Sequence, residues 1–110
     1  MNFEQFIKSE FSNQWIKEYR TLSLYIRKTP QLMKKTHGDY QLSSMNSKVP
    51  GSGLLTRFLN TWEHKYQFYV ENILNLRLID FLEKRGYTKI EGAFSYSPPS
   101  MIGPKPKRKK

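Results

Sequence analysis

The chain contains no cysteine, which excludes a disulfide scaffold and any thiolate metal site. It is also poor in the smaller apolar residues, with a single alanine, Ala93, and two valines. The residues AVILMFWC and glycine together make up 40 of 110 positions, about 36% against roughly 45–50% in an average domain. A large self-sufficient core is therefore not expected. No uncharged stretch approaches the ~18 apolar residues of a membrane span. The first residues lack a basic segment followed by an apolar one, so no secretory signal is expected, and Glu4 and Glu10 are unlike an acid-poor mitochondrial presequence. An intracellular protein of one small domain is the expectation. Acidic residues are few as well, 9 against 19 Lys and Arg.

What the chain does have is aromatic residues, with 7 Phe, 7 Tyr and 2 Trp, which argues against disorder. Phe, Tyr, Met, Ile, Asn and Lys supply 44 positions while Gly, Ala, Arg and Pro supply 19. The first group has A/T-rich codons, so an A/T-rich genome is expected, such as that of a protist, an organelle, a low-GC bacterium or a phage. The net charge of +10 is unevenly spread. Residues 27–57 and 97–110 each carry a net +5, and the remainder is neutral.

Along the chain, Phe3, Ile7, Phe11, Trp15, Tyr19, Leu22 and Ile26 recur at steps of four or three. That spacing predicts an N-terminal amphipathic helix within residues 1–29. Asn2 and Gln5 form a capping-box pattern at its start, and Thr29-Pro30 ends it. Residues 30–53, punctuated by Pro and Gly, read as a basic connector. Residues 54–86 read as a long helix, broken near 72–75 if at all, with Lys84 and Arg85 in its last turn and Gly86 just beyond. Residues 87–96 alternate like a strand or extended segment. Residues 97–110 form a polybasic, proline-containing tail. The fold class expected is mainly α: two long helices in an antiparallel hairpin, a long basic connector and an irregular C-terminal arm.

No constellation in the sequence points to catalysis. His37 lies in a glycine turn, and His64 lies between Glu63 and Lys65. Asp80 and Glu83 beside Lys84 and Arg85 suit surface ion pairing. There is no zinc spacing, no nucleophile elbow and no Gly-rich phosphate loop. The chain is accordingly expected not to be an enzyme and to need no cofactor or metal. The candidate sites are for binding. Closely spaced cations neutralise phosphates, which points Arg27, Lys28, Lys34, Lys35, Lys105, Lys107, Arg108, Lys109 and Lys110 at nucleic acid. Tyr25, His37 and Tyr40 interleave with the first four, as suits bases stacked on rings. A helix apolar almost all round from 66 to 82 would need a partner surface, which nominates Phe68, Tyr69, Ile73, Leu76 and Ile79, with Phe94 from the extended segment.

The run Pro104-Lys105-Pro106-Lys107-Arg108-Lys109-Lys110 resembles the basic extensions of ribosomal proteins, and also a short monopartite nuclear import signal. The first resemblance implies a non-catalytic subunit of a large assembly: a small ribosomal protein, mitochondrial or otherwise organellar, that binds rRNA and neighbouring protein subunits. Two alternatives are a peripheral accessory subunit of a membrane respiratory complex, with its arms on lipid headgroups, and a phage or bacterial DNA-binding protein.

Overall fold

A computed structural model describes residues 1–47, 53–90 and 98–106. The element order is α1 (Phe3–Lys8), β1 (Asn13–Glu18), β2 (Leu22–Lys28), a 3-10 turn (Gln31–Met33), α2 (Lys34–His37) and β3 (Tyr40–Ser47), followed by α3 (Leu54–Trp62), β4 (Phe68–Val70), α4 (Leu76–Lys84), β5 (Thr88–Ile90) and β6 (Ser100–Ile102). The strands form one mixed sheet in the order β1-β2-β3-β4-β6-β5. Only β3 and β4 pair parallel, with α3 as their crossover; the other pairs are antiparallel.

The mainly α expectation is thus overturned: the protein is an α/β fold with short helices, not an α-helical hairpin. Each expected helix is divided. The first stops at Ser9, whose backbone is extended (φ −83°, ψ 167°), although the Asn2–Gln5 capping box does start α1. Its remainder folds into the β1–β2 hairpin because Tyr19 and Arg20 adopt positive φ, 51° and 68°. Leu22, Leu24 and Ile26 then alternate with Ser23, Tyr25 and Arg27, burying one side only. The second expected helix ends at Trp62. After it come β4 and a reversal at Asn72 (φ 50°), and Asn75 caps the N-terminus of α4. The expected connector contains β3, the strand that joins the meander β1-β2-β3 to the rest of the sheet. Its sequence, YQLSSMNS, has weak strand propensity. It is held by β2 along its length and by β4 as well over Tyr40–Leu42, an override of local propensity by tertiary context.

The strand parity defines two faces. Ile16, Leu24, Ile26, Leu42, Phe68, Val70 and Met101 point to one side and meet Phe3 and Phe6 of α1, Phe58 and Leu59 of α3, and Ile79 and Leu82 of α4 in a single core. Phe3 is its hub, with edge-on contacts to Tyr40, Phe58, Trp62 and Tyr66 at centroid distances of 4.9–6.0 Å. Aromatic rings thus supply the volume that a chain short of valine and alanine lacks. The apolar residues expected to need an outside partner find one within the chain: Phe68, Ile73 and Ile79 are all buried. The opposite face carries Trp15, Tyr25, Arg27 and Tyr69, together with Gln41, which is buried; α2 reaches it, His37 lying 4.6 Å from Tyr69 between ring centroids.

A candidate ligand cleft between strands β3 and β4

The parallel pair is short. Its register runs from Tyr40↔Phe68 to Leu42↔Val70 and ends there, with a last bond from Glu71 N–H to the Leu42 carbonyl, 3.0 Å. β3 continues to Ser47 beside β2. The chain after β4 turns the other way. Ile73 N–H donates to the Pro99 carbonyl at 2.8 Å and Asn72 N–H to Ser100 Oγ at 3.2 Å. The two strands therefore splay, and the β4-facing edge of residues 43–47 has no strand partner among the described residues. The wedge between them is a cleft of about 240 Å³. Leu42–Met45 form one wall, and Val70–Asn75 with Leu78 form the other.

Two local devices shape this cleft. In the β2–β3 ladder, Tyr25 opposes Ser44 and Ile26 opposes Leu42, so Ser43 is the extra residue of a β-bulge. Bulges bend a strand and re-aim side chains, and they concentrate next to functional sites. The Ser43 hydroxyl is buried without a hydrogen-bond partner among the described residues. A buried orphan hydroxyl costs about 1–3 kcal/mol, a cost that a ligand accepting its hydrogen bond would remove.

The cleft lies on the carboxyl-end side of the parallel strands, where ligands of α/β proteins bind. There the sequence Lys48-Val49-Pro50-Gly51-Ser52 leads from β3 towards α3; those five residues lie outside the described ones. Gly53 caps α3 in the left-handed region (φ 78°), and the first turn of α3 holds no acid, which suits an anion at that end. Cations gather at this end of the sheet. The Arg57 guanidinium stands 4.4 Å from the centroid of the Tyr19 ring in the β1–β2 turn, Arg20 is the next residue, and exposed Arg77 opens α4.

A second cavity, about 390 Å³, lies at the opposite end of β3 among Lys28, Thr29, Gln31, Lys34, Asp39, Tyr40 and Tyr66. Burial first, then Tyr66 and Asp39, push the Tyr40 hydroxyl up to about 12, so it stays a donor at any ordinary pH. Asp39 is committed to the backbone, accepting from Gln67 N–H at 2.8 Å.

Of the residues nominated from the sequence, Lys28 and Lys34 meet at this second cavity, although Lys28 Nζ already donates to the Ser9 carbonyl. Arg27 points to the other side of the sheet and pairs with Glu71 at 3.4 Å. Lys35 and Lys105 are exposed. Lys107, Arg108, Lys109, Lys110 and Phe94 lie outside the described residues. Tyr69 is half-covered by His37, and Tyr40 is turned into the core. Leu76 is exposed (79%), together with Leu74 (82%), at the turn that forms the cleft's outer wall. No three His, Asp or Glu side chains converge as a metal site among the described residues, and no helix among them is long and apolar enough to cross a membrane.

The sequence reading missed the cleft. Its one legible trace is Gly51-x-Gly53, which gains meaning only between a strand and a helix of a β-α-β unit. No family model, curated protein or solved structure matches the chain.

Proposed function

We propose that the protein holds an elongated, amide-bearing carrier with a diphosphate, of the coenzyme A type, in the β3/β4 cleft, and that the acyl group the carrier bears passes from its sulfur to the amine or hydroxyl of an acceptor, the acceptor's proton going to the released thiol. The splay of the parallel pair carries this reading. An unpaired strand edge is complementary to amides laid along it. A helix N-terminus opened by Gly53, with no acid in its first turn, is complementary to a diphosphate. The chain runs from β3 to that helix, so the ligand that would suit both is long and carries amides before phosphates. Coenzyme A supplies an activated thioester. The chain would keep the carrier extended and screen it from water with Leu42, Val70 and Leu78. Ser43 Oγ would donate towards the acyl carbonyl oxygen, where charge develops during transfer.

Calorimetric titration of the purified protein with coenzyme A, pantetheine and ADP tests this. Coenzyme A is expected to bind with pantetheine and ADP each weaker by an order of magnitude or more, and Ser44→Trp, which crowds the cleft wall, to abolish binding without changing the circular dichroism. Absence of heat with coenzyme A, or equal affinity for ADP alone, would overturn it.

A second reading, of another class, keeps the chain as a non-catalytic RNA-binding subunit of a large assembly, ribosomal and organellar in its first form, a membrane-complex accessory subunit in its second. Its support is charge: Lys34, Lys35 and Lys105 make no ion pair among the described residues. Sedimentation of the native protein with and without RNase tests it. Migration with an RNase-sensitive particle is expected, and migration as a free small protein would refute it.

A further inference from the structure

The side of the sheet away from α1, α3 and α4 carries an unusual set of side chains. The register places Trp15 opposite Tyr25, Asn13 opposite Arg27, Arg27 opposite Gln41, and Gln41 opposite Tyr69, all on this one face. The Trp15 and Tyr25 rings lie 5.5 Å apart. Tyr25 is steadied by its hydroxyl, which donates to Asn13 Oδ1 at 2.7 Å. Trp15 is 51% exposed although it lies mid-strand. Two strands further on, the second aromatic station is Tyr69 with His37, 4.6 Å apart. Tyr69 is in line with Gln41 and Arg27, and Tyr25 lies two residues along from Arg27; with strands spaced about 4.8 Å and a rise of about 3.4 Å per residue, Tyr25 and Tyr69 are about 12 Å apart. Arg27 stands between them, its side chain 46% exposed and held at 3.4 Å by Glu71. Lys17 also projects from this face, opposite Ser23.

We infer that this open face is a platform for single-stranded RNA, with bases stacked on Trp15/Tyr25 and on Tyr69/His37 and the intervening phosphates met by Arg27 and Lys17. Aromatic rings exposed on a sheet are the means by which unpaired bases are bound without a groove. A net charge of +10 makes a polyanion the complementary occupant, since a second copy would bring the same charge against it. The inference does not rest on the cleft reading. It shares its partner class with the second reading, and Arg27, Tyr25 and His37 with the residues nominated from the sequence for nucleic acid; Trp15, Tyr69 and Lys17 are added by the sheet.

The probe is a fluorescein-labelled oligouridylate of about 12 nucleotides, within the span of single-strand sites. Anisotropy reads the affinity, and tryptophan emission reads stacking chiefly on Trp15, the more exposed tryptophan, since Trp62 is partly buried against the core. The expected results are quenching on titration, a tenfold to hundredfold weaker complex for Trp15→Ala from the loss of one stacked base, and near-parental affinity for Trp15→Phe. Removing residues 105–110 should weaken binding at low salt yet leave the quenching. Each variant is first checked by circular dichroism. Parental affinity in Trp15→Ala, equal affinity for a duplex of the same length, quenching lost with the tail, or a dimer that shields Trp15 in the absence of RNA would each overturn the proposal.

Discussion

Replacing Gly103 by alanine isolates a close approach that the whole C-terminal half of the sheet depends on. A Cβ at this position would lie 2.9 Å from both Cε2 and Cζ of Tyr87 and 3.2 Å from the Phe68 carbonyl oxygen. Neither side can retreat cheaply. Tyr87 is buried (4% exposed). Gly103 is pinned by its N–H to the Phe68 carbonyl at 2.8 Å and by its own carbonyl, which accepts from Gln67 Nε2 at 2.8 Å. Its φ is not in the left-handed region, so the penalty is contact alone. Overpacking of this kind costs about 1–3 kcal/mol. For a domain of this size that lowers the melting temperature by about 5–15 °C. Thermal unfolding followed by circular dichroism measures it. Because the clash is with ring carbons, Tyr87→Leu should suppress it in the double variant and Tyr87→Phe should not, a coupling of about 1–2 kcal/mol in a double-mutant cycle. A melting temperature within about 2 °C of the parent, or rescue by Tyr87→Phe, would refute the reasoning.

Other outcomes follow from single contacts. The Tyr87 hydroxyl is buried with no hydrogen-bond partner among the described residues, and burial followed by the nearby Glu63 carboxylate raises its pKa. Tyr87→Phe by itself should therefore be neutral or stabilising by up to about 1 kcal/mol in urea unfolding; a loss above that would reveal a bond not apparent here. Arg85 ties α4 to α3 through Glu63 and through Asn60 Oδ1 at 2.7 Å. Arg85→Met leaves the Glu63 carboxylate largely buried and unpaired, and should cost about 2–3 kcal/mol after allowing for the pair's partial exposure. Gly38 combines φ +67° with 2.7 Å from a Cβ to the Gln67 carbonyl oxygen, so Gly38→Ala should destabilise by about 2 kcal/mol or more. Raised pKa values protect the neutral form. Tyr40 loses its proton near pH 10 when unfolded and near 12 when folded, so its contribution is complete below pH 10 and is lost as the pH rises towards 12. Unfolding measured between pH 9 and 12 should steepen accordingly, and Tyr40→Phe should flatten that decline.

How much of this was legible depends on which signals were local. The capping box at Asn2–Gln5, the glycine beyond α4 (Gly86, φ 91°) and the alternation of Thr88–Ile90 lie within a few residues and could be read directly. The β1–β2 hairpin could not, because its positive-φ positions are filled by Tyr19 and Arg20 instead of the Asn-Gly or Asp-Gly pair that marks such turns. The step-of-four spacing from Phe3 to Ile26 mixes an exposed Trp15 and Phe11 with buried Phe3, Leu22 and Ile26. It is a coincidence of two periods: helical spacing over about six turns overlaid on the period-two series Leu22, Leu24, Ile26. β3 owes its existence to neighbours 12 to 28 residues away, and no short window along the chain contains them. The cleft was hidden for the same reason. It exists because two strands part, and a parting is a property of pairing. The basic residues were readable as charge, but not their sides: Arg27 and Lys28, adjacent in sequence, face opposite sides of the sheet.

The position of β6 has a consequence for how the molecule comes into being. It is the last strand in the chain, yet it sits between β4 and β5, and its neighbours Pro99 and Ser100 anchor the turn at 72–73. During synthesis, β1, β2 and β3 can associate as they emerge, residue by residue at about 5–20 per second. The far side of the sheet cannot. β4 must wait with one edge bare, and β5 has nothing to pair with, until some thirty residues more have been made. The wall that defines the ligand cleft is consequently the final part to set, and a nascent chain carries the open aromatic face well before it carries the cleft.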